Sequence, residues 1–216
     1  MIGTLWAIRS IGTPAFDPDL VAVAPFTALD SRLALWREGL VDLLSRNLDG
    51  AGPLRTVPPT TVIRRWRGQD DKASATALGG AVGARLVVFG NLLATGTDSA
   101  RLSAVVYDVA KQVEVAEIDL RDEVTRVDRL GDSLTLRVLR ALGQTRGLEA
   151  FRSTTSSFHS LPALKAYLQG EQWYRRTAWD SALTAFQRAA ALDSTSPLPI
   201  NRLCAYDTRL WTIPEP

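Results

Sequence analysis

The sequence predicts a mixed α/β fold, in which a mixed β-sheet carries helices in the order β-α-β-α-β-β-β-α, followed by an α-helical hairpin. Three observations predict it. The segment "ARLVVFGNLLATGTDSARLSAVVYDVAKQVEVAEIDL", Ala84 to Leu120, holds three strand-like runs separated by "GTDSA" and "AKQ", which suit antiparallel hairpins. Apolar residues at helical spacing flank it on both sides. Near the end, "LKAYLQGEQWYRRTAWDSALTAFQRAAALDSTSP", Leu164 to Pro197, reads as two helices folded back on one another.

Taken in order, "LVAVAPF", Leu20 to Phe26, is a short apolar run stopped by Pro25 and reads as a buried strand. Asp30 and Ser31 are candidate helix caps. Helical spacing then begins at Arg32, with Leu33, Trp36, Leu40, Leu43, Leu44 and Leu48 along one side and Arg37, Asp42 and Arg46 opposite. Gly50 ends this helix in a left-handed conformation. A second strand spans Leu54 to Val57 and is interrupted by Pro58-Pro59, because proline has no amide hydrogen for a sheet ladder. A short helix from Asp71 to Val82 follows, then the three strands. From Glu123 onward Val124, Val127, Leu130, Leu134, Val138 and Leu142 recur at intervals of three and four, giving an amphipathic helix that caps the sheet. Between Gly143 and Ser160 the chain turns polar, and "RSTTSSFHS" reads as an exposed linker.

The hairpin carries a closer pattern. Two helices that cross tightly need small residues where their backbones meet and a large aromatic in the adjacent groove. Gly170 and Ala182 supply the small pair and Trp173 the aromatic, while Phe186 lies four residues after Ala182 and Ala189 three further on. This spacing resembles the tetratricopeptide (TPR) repeat. Ala166 stands where that repeat has tryptophan, Gln169 where it has leucine, and Ser194 where it has the terminal proline. Such a repeat implies an apolar face open to the next one. Beyond it Pro197, Pro199, Pro214 and Pro216 are poorly placed for a continuing helix. A short helix over Asn201 to Trp211 is expected to cover part of that face with Leu203, Tyr206, Leu210 and Trp211, leaving an altered or truncated array that self-associates or binds a partner.

The first half, from "VAVAPFTALDSRLALWREGLVDLLSRNL" through "TVIRRWRG" to the long helix, resembles the TolB amino-terminal-like domain over Leu20 to Leu142. Bacterial signalling proteins place that domain before TPR repeats, following a kinase, cyclase or winged-helix effector. The resemblance implies a sensory or adaptor scaffold without the effector's activity. The expected organisation is an unstructured or membrane-proximal segment at 1–19, the α/β domain at 20–142, the linker at 143–160, the hairpin at 161–195 and an incomplete repeat or cap at 196–216.

Bulk properties restrict function further. With 25 Lys+Arg against 23 Asp+Glu over 216 residues, the formal charge of +2 disfavours a dedicated nucleic-acid binder. One cysteine, Cys204, excludes an intrachain disulfide and a multi-Cys zinc site, and one histidine, His159, excludes a His-rich metal site. Neither a metal nor a cofactor is expected. No apolar run approaches the roughly 20 residues a membrane helix needs. "MIGTLWAIRSIG" is a poor signal peptide, so the default location is cytoplasmic; the resemblance allows a membrane-tethered extracytoplasmic one if upstream sequence exists.

Three motifs tempt toward chemistry. "GDSL", Gly131 to Leu134, names a family of serine esterases with Ser133 as nucleophile, but Leu130 and Leu134 set this serine in a helical stripe rather than on a strained turn. "GGAVGARLVVFG" closes a helix and precedes a strand, the reverse of a phosphate loop. "RRWRG", Arg64 to Gly68, is followed by Asp70 and Asp71 and reads as a solvated edge or anionic-partner contact. In "QWYRRTAW", Trp173 is core, while Tyr174, Arg175, Arg176 and Trp179 are candidates for a protein-binding face, since Trp, Tyr and Arg anchor interfaces. The leading expectation is thus a non-enzymatic module for a protein or peptide partner, the alternative a sensor of a small ligand or cell-envelope component, and the remote one a Ser133 hydrolase.

Overall fold

The computed structural model describes residues 16–51, 53–145, 154 and 157–210. The calls on 1–15, on most of the linker and on Trp211 lie outside them. The described part is a mixed sheet with helices on both faces and a helical hairpin beside it. Strands β1 (Asp17–Val23), β2 (Thr27–Ala28), β3 (Arg55–Thr56), β4 (Ala84–Thr95), β5 (Ser99–Asp108) and β6 (Val113–Glu123) alternate with α1 (Trp36–Leu48), α2 (Pro59–Arg65), α3 (Lys72–Val82) and α4 (Val127–Thr145). Three helices follow, α5 (Leu161–Arg175), α6 (Trp179–Leu192) and α7 (Pro197–Leu210).

The sheet order is β3-β1-β4-β5-β6, with β2 also on β4. β1, β2 and β3 pair in parallel, whereas β4-β5 and β5-β6 are antiparallel. β4 is the spine of the sheet, and Gly90 at its middle is required by close approach: a Cβ there would lie 2.0 Å from the Ser103 carbonyl oxygen, a backbone atom that cannot step aside.

Four differences from expectation have simple causes. The first strand does not stop at Pro25 but resumes as β2 along the same neighbour, with Val23 beside Val88 and Thr27 beside Asn91. The proline sits at the irregularity between them, where a missing amide costs nothing. Pro59 starts α2 instead of merely ending a strand, because at the first helical position its missing N–H has no partner to lose. Ahead of α1, Asp30 caps a separate 3-10 turn, accepting from the Arg32 amide at 2.8 Å. Pro197 and Pro199, expected to oppose a helix, lie in the first turn of α7, where the same reasoning applies.

Two cores result. On one face α1 and α4 bury Leu40, Leu44, Leu48, Leu130, Leu134 and Val138 against the sheet. α2 and α3 close the other face around Val62, Trp66, Leu78, Val87 and Phe89. The first core continues without a break into Phe158, Leu164, Tyr167, Ala182 and Phe186. The linker is therefore not exposed throughout: Phe158 is fully buried, its ring 5.3 Å from that of Tyr167, and its carbonyl accepts from Arg140 at 2.6 Å.

Candidate interaction face of the helical hairpin

α5 and α6 pack antiparallel around one tight contact. A Cβ at Gly170 would sit 2.5 Å from the Phe186 ring, so the glycine is there to admit the phenylalanine. The tightest contact of the crossing is thus glycine on phenylalanine, where a glycine–alanine pair was expected. Ala182 and Ala189 are fully buried beside it, and Tyr167 stacks at 5.6 Å from Phe186 in a tilted geometry.

At the turn end of the hairpin the aromatic and cationic residues sort onto two sides. Tyr174 meets Trp179 edge-on at 5.1 Å, and the guanidinium of Arg202, from α7, lies 5.2 Å from the Tyr174 ring centre. Arg202 also grips the Glu171 carboxylate, at 2.6 and 2.9 Å. α7 is thereby held on this side of the pair. Trp173, half-buried, faces the other way, with Arg176 5.7 Å above its ring. A groove of about 370 Å³ runs here between α5 and α6, past Gln169, Trp173, Thr184, Ala185 and Arg188. Trp179 remains 39% exposed. The five residues Trp173, Tyr174, Arg175, Arg176 and Trp179 thus share one end of the hairpin. Sequence reading missed Glu171, Arg188 and Arg202, because helical phase does not say which face a third helix covers.

α5 is fixed to the sheet through a polar joint. Asn47 of α1, buried, donates to Asp132 of α4 at 3.0 Å and accepts from the Lys165 ammonium of α5. Desolvation, with Arg46 nearby, draws the Lys165 pKa down against the opposing pull of Asp132.

A second concavity, about 680 Å³, opens at the end of the sheet where β4 begins and β5 turns into β6. Its polar wall is Arg85, Asp108, Lys111 and Glu114; Pro53 and Leu142 line the apolar side. Arg85 Nε donates to both Asp108 oxygens, at 3.1 and 3.0 Å, and the Lys111 amide adds a bond at 3.0 Å. Burial alone would raise the Asp108 carboxyl, but these bonds outweigh it and hold it below the usual carboxylate range. Because the folded pKa is depressed, the stabilisation is present above the unfolded value of about 3.9 and is lost as pH falls through the folded one. Asp108→Asn should accordingly flatten the fall in unfolding free energy below a pH of about 4, measured by urea titration at stepped pH.

The remaining motifs take structural places. Trp66 is buried in the second core rather than standing at a solvated edge, while Arg65 donates to the Ala81 carbonyl. Gly79 packs against Val109 at the end of α3, and Gly83 closes that helix with φ of 72°. Ser133 is exposed on α4 and lines a depression of about 240 Å³ with His159. His159 is the only candidate base that the sequence offers Ser133, since it is the one histidine of the chain. His159, 75% exposed at its side chain, keeps its ring nitrogen 3.2 Å from the Thr195 hydroxyl, and its amide, not its ring, makes the 2.7 Å bond to Asp193. Ser133 stands six residues into α4, where backbone amides are spent on the helix and leave no donor for an oxyanion. Assayed with p-nitrophenyl acetate, the chain should show no turnover that Ser133→Ala abolishes.

No family model matches this sequence, and no curated protein matches it. Parts of several solved structures are similar to it. TolB from Acinetobacter baumannii is 20% identical over 58% of this chain, with a TM-score of 0.43, and the match spans 28% of the TolB chain. The lipoprotein GNA1162 from Neisseria meningitidis is 18% identical, over 49% of this chain and 81% of its own, with a TM-score of 0.40. The PelC dodecamer from Paraburkholderia phytofirmans is 15% identical, over 55% and 86%, with a TM-score of 0.39. None of these similarities is high enough to carry an activity across. Among the described residues no helix is long and apolar enough to cross a membrane.

Proposed function

We propose that the chain is a non-enzymatic protein-interaction module: a TolB-amino-terminal-like α/β body joined to the opening hairpin of a TPR array, acting as the sensory or adaptor part of a bacterial signalling system. The observation that carries this reading is the cluster of Trp173, Tyr174, Arg175, Arg176 and Trp179 at the end of a hairpin that is tied into the main core. Interfaces concentrate binding energy in such residues. Support for the repeat comes from the Gly170–Phe186 contact and from α7, which lies against both preceding helices as the first helix of a next repeat would.

The alternative, a sensor of a small ligand or cell-envelope component, is favoured by the sheet-end cavity and its fixed Arg85–Asp108 pair. Selection of peptides from a displayed random library on the immobilised chain separates the two. Peptides bound through the hairpin should lose about tenfold or more in affinity on the double substitution Arg175→Ala, Trp179→Ala, since rim and anchor truncations together remove more than about 1.4 kcal/mol. Peptides that ignore this substitution and lose affinity on Lys111→Ala would move the binding function to the sheet end.

A further inference from the structure

The two sides of the hairpin carry opposite chemistry. On the α7 side α5 presents a carboxylate, Glu171, and it is met by a cation, Arg202. On the groove side α5 and α6 present cations. Arg176 and Arg188 have no carboxylate within ion-pair distance among the described residues. Asp180 is the single acid in the groove wall. Gln169 and Trp173 follow at an interval of four along one face of α5 and form its side of the groove wall. Between the cations lie Ala185, buried, and half-buried Trp173.

Resting on the interaction reading above, we propose that this groove takes an acidic amphipathic helix from a partner protein. The groove lies between two antiparallel helices, a surface onto which a third helix packs its ridges. Apolar residues of that helix cover Trp173 and Ala185. Its carboxylates reach Arg176 at the turn between the helices and Arg188 about three helical turns further along α6. α7 makes the mirror arrangement on the far side, with its cation on the hairpin's acid. A nucleic-acid strand is disfavoured by Asp180 in the wall and by the chain's formal charge of only +2.

The test uses the full chain and a fluorescein-labelled 18-residue peptide with leucine at helical spacing and glutamate at its other positions, against a twin in which lysine replaces glutamate. Anisotropy should show saturable binding of the glutamate peptide that weakens with added salt. Arg176→Glu with Arg188→Glu should reduce it by at least about tenfold, and Arg64→Glu on α2 should leave it unchanged. Both groove arginines are exposed and form no ion pair among the described residues, so the variant should keep its circular dichroism spectrum. Stronger binding of the lysine peptide or of a single-stranded oligonucleotide, or glutamate-peptide binding that ignores the charge reversal, would overturn the proposal. If library peptides of other composition still depend on Arg175 and Trp179, only the acidic partner falls. Loss of that dependence as well would remove the interaction reading itself.

Discussion

Replacing Phe158 with alanine should destabilise the chain by about 3–5 kcal/mol, the range for deleting a fully buried phenylalanine ring. The residue sits in a polar stretch, yet its side chain is completely shielded and shares one apolar cluster with α4, α5 and α6. Its carbonyl accepts from Arg140, and the next amide, of His159, donates to Asp193 at the end of α6. The ring is therefore held from both sides and cannot be replaced by a small shift of the backbone. Since the cluster is continuous, denaturant unfolding of the parent chain should show one transition. A loss below about 1 kcal/mol would mean that the segment before the hairpin is not docked.

Phe186→Ala is expected to cost a similar amount, again about 3–5 kcal/mol. Its ring fills the space that Gly170 leaves open and meets Tyr167 at 5.6 Å. The converse change, Gly170→Ala, places a methyl where the ring stands and should cost about 1–3 kcal/mol by overpacking. The decisive quantity is the coupling. In the double variant the new methyl enters the cavity left by the ring, so the pair should cost less than the sum of the singles. Strict additivity would show that the two residues do not share the crossing.

The parts of this fold legible in the sequence are those with a repeating pattern. The stripe of Val127, Leu130, Leu134, Val138 and Leu142 is buried as its spacing requires, and the three long strands pair antiparallel around their expected turns. Prolines misled, because Pro25, Pro59, Pro197 and Pro199 each break a hydrogen-bond ladder in one context and are harmless in another: Pro25 at an irregularity between strand segments, the others in the first turn of a helix. Phe158 was illegible because one apolar residue among serines and threonines has no period. In the hairpin, residue types pointed to Tyr174, Arg175, Arg176 and Trp179 as a binding face and to Trp173 as core, but not to a half-buried Trp173 lining a groove on the side opposite Tyr174. That separation depends on α7, through Arg202 and Glu171.

The central claim is that the hairpin, rather than the sheet end, is where this chain meets another protein. Hydrogen–deuterium exchange on the full chain, with and without a saturating peptide selected for binding, tests it most directly. Protection over the C-terminal half of α5 and the α6 turns carrying Thr184 and Arg188, with β4 to β6 unchanged, is the predicted result. Protection centred on Arg85, Asp108 and Lys111 at the sheet end, with the hairpin unaffected, would contradict it.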